Sequence, residues 1–169
     1  GPNNIMSSYS GFNFGFKKTI PLMLGVTFGW TTMLTLMSSG LIIIFQKYIF
    51  LQNAIKILGT IFLIYLAYKI AFSSVNSSEN IKKPVTFFDT FLFQFINPKG
   101  VMAGITLVSK FIIEDDYINS SLTVIAVCSL TALTSITSWA FFGKFLRKFA
   151  TNNDFIKQFN YAMSLLLIV

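Results

Sequence analysis

The sequence predicts an all-α, polytopic helical membrane protein. Three observations predict it: an apolar, charge-poor composition, two long uncharged runs, and a layout that recurs with an offset of 96 residues. Of 169 residues, 54% are apolar and 11% charged, with a mean hydropathy of +0.68, whereas soluble domains run at about 45–50% and about 25%. No charge interrupts Thr19 to Gln46 or Tyr117 to Gly143, and each run exceeds the roughly 20 residues that a membrane helix needs. A net charge of +7 would point to nucleic acid in a soluble protein. Here the lysines punctuate apolar spans, so the excess reads as topology and no nucleic-acid partner is expected. With no His and only Cys128, itself inside an apolar run, neither a disulfide framework nor a His/Cys metal site can be assembled.

Taken in order, the chain starts at Gly1-Pro2-Asn3-Asn4 without Met and stops inside the apolar Leu165 to Val169, so both ends are expected to be clipped. The first clear span runs from about Ile20 to Phe45. A second, from about Leu51 to Phe72, carries Lys56 and Lys69 near its ends, where their long stems snorkel to the headgroups. A polar, turn-prone linker follows from Ser73 to Asn80. After Pro84, Thr86-Phe87-Phe88-Asp89 fits a capping box with Thr86 as N-cap, so a helix starts there. Its stripe of Phe87, Phe88, Phe91, Leu92 and Phe95 suits either an interfacial helix or the first half of a further span. That span runs from about Asn97 to Ile113, the next from about Leu122 to Phe142, and the last opens near Phe159.

If the connections alternate sides, one side collects Lys17, Lys18, Lys69, Lys82, Lys83, Lys144, Arg147, Lys148 and Lys157, and the other only Lys47, Lys56 and Lys110. By the Lys/Arg count, the first side is cytoplasmic.

The offset of 96 lays Pro2 on Pro98 and the span at 20–45 on 116–141. The chain then reads as one integral-membrane domain, 1–169. It has a first repeat over about 1–72, a linker over about 73–85 and a second repeat over about 86–169. Completed, it is a six-span protein with an inverted 3+3 repeat whose first and last spans are truncated here. Inverted repeats with Pro-interrupted spans at matching positions point to a secondary-transporter site. The matching positions are Pro2, Asn3 and Asn4 in one half and Asn97, Pro98 and Lys99 in the other. Proline removes a backbone donor, and freed backbone groups at membrane depth are satisfied by protein or by water in a cavity. Capping at the interface is the plainer reading of both motifs.

Thr27, Thr31 and Ser38 share one helical face, as do Thr131, Thr134, Ser135 and Ser138, and either set suits a polar pathway or hydroxyl bonds between helices. Gly25 and Gly29 form a small-xxx-small motif and read as helix packing. Lys99 either meets a substrate carboxylate or snorkels, since a lysine at the bilayer centre costs about 2.5–3.5 kcal/mol. An enzyme would need a nucleophile or paired carboxylates at depth, and Cys128 reads as packing. A non-transporting membrane subunit stays open, and a homodimer is compatible with every reading.

The chain resembles the LysE-type family of bacterial amino-acid exporters over nearly its whole length. The motifs are Gly1-Pro2-Asn3-Asn4; Gly11-Phe12 with Gly15-Phe16-Lys17-Lys18; Lys56-Ile57-Leu58-Gly59 with Tyr65-Leu66-Ala67-Tyr68-Lys69; the Phe-rich Phe91 to Phe95 before Asn97-Pro98-Lys99; and Phe159-Asn160-Tyr161-Ala162-Met163. In look it is nearest to the branch exporting cysteine-related and neutral amino acids. The resemblance implies a multi-pass transporter of the bacterial inner membrane, exporting amino acids or close derivatives by alternating access, with protons as the coupling ion. It also implies no cofactor and no ATP site, and the sequence has no phosphate-binding glycine loop. Export of another small metabolite is the alternative. On this reading Asn3, Asn4, Asn97 and Lys99 bind the zwitterion at the paired breaks.

Overall fold

The computed structural model describes residues 1–72 and 84–168. The expected linker from Ser73 to Asn80, together with Lys82, Lys83 and Val169, lies outside the described residues. All regular structure among the described residues is helical. Helix α1 (Pro2–Phe14) begins with proline in its first turn, where the missing N–H has no intrahelical partner to lose. It stops at Gly15, whose φ of 81° and ψ of 165° is a backbone state open essentially to glycine alone. Helix α2 (Phe16–Leu36) follows, then a π-turn over Met37–Leu41, then α3 (Ile42–Lys47). The uncharged run reads as one span over Ile20 to Phe45. The structure lengthens it to Phe16–Lys47 and interrupts it at Gly40, where φ is 110°.

Helix α4 (Ile49–Ala71) fills the second expected span. Helix α5 (Phe87–Ile96) opens with the expected capping box: Asp89 N–H donates to Thr86 Oγ1 at 3.2 Å and Thr86 N–H to Asp89 Oδ2 at 3.0 Å. It ends at Asn97, whose extended backbone (φ −76°, ψ 104°) is what a residue before proline prefers. Helix α6 (Pro98–Phe111) then leaves at 63° to α5. Its 14 residues reach only about 21 Å, short of the roughly 30 Å of hydrocarbon. The span expected over Asn97 to Ile113 is therefore too short by itself, and α5 and α6 are long enough to cross only together, as a bent pair. Thr90, Phe93 and Gln94 of α5 are buried, which favours α5 as the first half of that broken span over an interfacial helix.

A short 3₁₀ turn at Glu114–Asp116 leads into α7 (Tyr117–Arg147), longer at both ends than the apolar stretch Leu122 to Phe142. The last helix, α8 (Asn153–Ile168), starts six residues before the expected Phe159. Asn152 Oδ1 accepts from Phe155 N–H at 2.8 Å, so a polar cap starts the helix before its apolar part. Among the described residues, three helical segments are long and apolar enough to cross a membrane, and a fourth is added if the bent pair is one span.

Lipid tails are as apolar as leucine, so membrane helices associate through close packing and hydrogen bonds rather than hydrophobic burial. Helix α1 sits innermost, buried from Met6 to Phe12 and packed on α2, α7 and α8. Its contact with α7 is backbone-close: a Cβ on Gly143 would run into the Ser8 carbonyl, and Ser7 Oγ donates to Ile136 O at 2.8 Å. The α2–α5 seam is built alike. A Cβ on Gly25 would strike Thr90 Oγ1 and the Phe87 carbonyl, and one on Gly29 would stand 2.6 Å from Phe91 O. Helix α8 closes the outside of α1, with the Phe12 and Phe159 rings stacked at 3.8 Å.

Candidate functional site

Both proline-started helices, α1 and α6, open onto one cavity of about 300 Å³. Neither N-terminus has a side-chain cap. In α6 the first-turn bond is Val101 N–H to Asn97 O at 2.9 Å, and helix geometry leaves the N–H groups of Lys99 and Gly100 without an intrahelical acceptor. The positive end of α6 thus faces this space. Lys99 is the one charged side chain lining it, and among the described residues Lys99 makes no ion pair.

Of the residues singled out from the sequence, Pro2, Asn3, Asn4, Asn97, Lys99 and Ser135 line this cavity. Pro98 faces away, toward Gln52, Ile55 and Lys56. A Cβ on Gly59 of α4 would come within 2.6 Å of Pro98 Cδ, so α4 braces the break from behind. Thr27, Thr31, Thr131, Thr134 and Ser138 are not among the lining residues. Thr27 and Thr31 donate to Met23 O and Thr27 O, each at 2.9 Å, and Thr31 also meets Ser129 Oγ at 2.6 Å. Thr131, Thr134 and Ser138 are exposed and bond to their own helix. Gly25 and Gly29 lie in the α2–α5 seam.

The polar lining is ordered by specific bonds. Asn3 Nδ2 donates to Gln94 Oε1 at 2.8 Å while Gln94 Nε2 donates to Asn3 Oδ1 at 3.1 Å, a reciprocal amide pair. Ser135 Oγ donates to Asn4 Oδ1 at 3.3 Å. Asn97 differs: it is 3% exposed, and its Oδ1 has no hydrogen-bond partner. Leaving a buried acceptor unpaired costs about 1–3 kcal/mol, so this oxygen stands ready for a donor. The apolar part of the wall comes from Val26, Trp30, Ala103, Ala132 and Ile136. Gln94 and Trp30 are the notable residues that sequence reasoning passes over. The one signal for Gln94 is that it is the single polar residue within Phe91 to Ile96, and an amide inside a span is rarely idle.

The model of the LysE type translocator family matches residues 1–169. The chain belongs to that family. The LysE-type family expected from the motifs is thus the family the whole chain matches, and its members are transporters, not enzymes. A cysteine/O-acetylserine efflux protein of Escherichia coli O139:H28 (strain E24377A / ETEC) is 28% identical over 174 residues, covering 99% of this chain and 86% of that protein. Proteins of the same description from Escherichia coli (strain K12) and Shigella flexneri serotype 5b (strain 8401) are each 27% identical over the same shares. These relatives stand in the cysteine-related branch that the sequence resembles most. No solved structure matches the chain.

Proposed function

We propose that this LysE-type protein exports cysteine, O-acetylserine or a closely related neutral amino acid from the cytoplasm across the bacterial inner membrane. The observation that carries the reading is the cavity where the uncapped N-terminus of α6 meets Lys99 and the unpaired Asn97 Oδ1. A free amino acid presents a carboxylate and an ammonium group a few ångströms apart, and the cavity offers a complement to each. The carboxylate is held by Lys99 Nζ and by the free first-turn N–H groups of α6, a helix-end anion site strengthened by a cation. The ammonium donates to Asn97 Oδ1, with Asn4 Oδ1 beside it, since asparagine supplies an uncharged acceptor. A small neutral side chain lies against Trp30, Val26 and Ala132. The relatives' printed activity supports this substrate class.

Transport runs by alternating access in an inverted 3+3 repeat, the first over about 1–72, the linker over about 73–85 and the second over about 86–169. Support comes from the correspondence of α1 with α6, α2 with α7 and α4 with α8, anchored by Pro2 and Pro98 at equivalent helix starts. The basic segments at Lys17-Lys18, Lys69, Lys144 to Lys148 and Lys157 face the cytoplasm, following the Lys/Arg rule. The proton gradient drives export, and the two halves rock about the cavity.

The test is efflux of L-cysteine and O-acetylserine from bacterial cells expressing the chain, with and without an uncoupler, beside Lys99→Ala at matched membrane expression. Protein-dependent, uncoupler-sensitive efflux is expected. Lys99→Ala is expected to lose about 10- to 100-fold in export efficiency, the equivalent of one charge-assisted hydrogen bond. Unchanged kinetics in Lys99→Ala overturn its role. No efflux of either compound from correctly inserted protein moves the function to another metabolite or to a non-transporting subunit.

A further inference from the structure

Asn3 and Gln94 stand 91 residues apart, one at the start of α1 and the other near the end of α5, yet their amides bond each other in both directions. A primary amide has two donor hydrogens and two acceptor lone pairs. The pair uses one donor and one acceptor from each side chain and fixes both amide planes. Gln94 is fully buried and spends its second hydrogen on Thr90 O at 2.8 Å. The single Thr90 Oγ1 hydrogen has three carbonyls in reach, Leu22 O and Phe87 O at 3.1 Å and Thr86 O at 3.2 Å. Gln94 therefore ties the Asn3 amide to the backbone of α5 at Thr90. Gly29 seals it from behind, because a Cβ there would stand 2.8 Å from Gln94 Cγ. Asn3 is only half-buried and keeps one free donor and one free acceptor site at the cavity.

We infer that Gln94 is a positioning residue for substrate recognition: it locks the Asn3 amide in one orientation at the proline break of α1, so that the remaining N–H and lone pair of Asn3 meet the substrate. This deepens the export reading and rests on it. Freed from Gln94, the Asn3 amide can rotate, and half its orientations offer the substrate a donor where an acceptor is needed. The lock also spans the two halves of the chain, fixing the break at Pro2 to the helix that leads into the break at Pro98.

The experiment measures L-cysteine export kinetics in vesicles for the parent chain, Asn3→Ala, Gln94→Ala, the double alanine variant and the exchanged pair Asn3→Gln/Gln94→Asn. Each single alanine is expected to raise the half-saturation concentration about tenfold with the maximal rate per inserted protein little changed, the loss of one buried hydrogen-bonding partner. The double alanine variant is expected to be no worse than either single one, because both break the same unit. The exchanged pair conserves total side-chain length and is expected to recover to within about threefold of the parent. Single-variant effects that multiply in the double overturn the inference while Lys99→Ala still reports on the export reading. Should the exchanged pair fail to insert, Gln94→Leu, which keeps the packing volume, is expected to match Gln94→Ala; parental kinetics in Gln94→Leu overturn the inference. A parent chain that exports no L-cysteine overturns the export reading, and this inference falls with it.

Discussion

Substituting Gly29 by alanine separates packing from recognition, because this glycine touches both. The new Cβ would lie 2.6 Å from Phe91 O and 2.8 Å from Gln94 Cγ, against ordinary contacts of 3.4 Å and beyond, so both neighbours must retreat by about 0.6–0.8 Å. The Phe91 carbonyl is fixed in α5 and cannot turn aside. Overpacking of this kind costs about 1–3 kcal/mol. The retreat also distorts the Asn3–Gln94 bonds, now 2.8 and 3.1 Å, adding up to about 0.5–1.5 kcal/mol. Alanine returns up to about 1 kcal/mol through its better helix propensity. The net loss is about 1–3 kcal/mol, read as a Tm lower by several degrees in a chain of this size. Gly143→Ala is the matched comparison: its Cβ would strike the Ser8 carbonyl in the backbone-close α1–α7 seam and touches neither Gln94 nor its partner Thr90. Thermal unfolding in detergent and L-cysteine export in vesicles are measured on both. Both variants should lose stability, while only Gly29→Ala should raise the half-saturation concentration, by about tenfold. Unchanged stability and unchanged half-saturation in Gly29→Ala refute the reasoning.

Asn97→Leu is expected to keep or raise the Tm while abolishing export, because it removes a buried oxygen that no protein group bonds and that caps no helix end; relief of such a group is worth about 1–3 kcal/mol. A falling Tm would show that Asn97 has a structural partner. Thr86→Ala loses the capping box and should cost about 0.5–2 kcal/mol in thermal unfolding. Its half-saturation for L-cysteine should stay at the parental value, since the cap lies about 12 Å along α5 from Gln94.

How much was legible beforehand follows from what each signal measures. Hydropathy finds continuous apolar length, so α2 with α3 and α7 are plain in the two uncharged runs, and α4 in the apolar stretch between Lys56 and Lys69. It does not register the interruption at Gly40, because glycine within an apolar run changes neither charge nor length. It misses the start of α8, where Asp154, Lys157 and Gln158 occupy the first turns and Asn152 supplies the cap. Proline marks breaks directly, which is why both helix starts at the cavity could be named, with Asn3, Asn4, Asn97 and Lys99 beside them. Helical spacing groups hydroxyls on a face without saying which neighbour that face meets. Only Ser135 of the α7 set reaches the cavity lining. The Gln94 pairing joins residues 91 apart and has no local pattern at all.

Helices α2 and α7 keep most of their polar groups to themselves. Thr27, Thr31 and Thr35 on the first, Ser38 in the π-turn that continues it, and Thr131, Thr134 and Ser138 on the second each donate to a carbonyl one turn back in the same segment. Across the seam, the hydrogen bonds between the α2 segment and α7 among the described residues are the Thr31–Ser129 hydroxyl contact and Tyr117 Oη–H to the Ser38 carbonyl at the π-turn. Two helices tied by so few cross-links can shear past one another, or turn a hydroxyl face toward lipid, without stranding donors in hydrocarbon. Hydrogen bonding therefore holds this seam at only two places among the described residues, one near mid-helix and one beside Gly40.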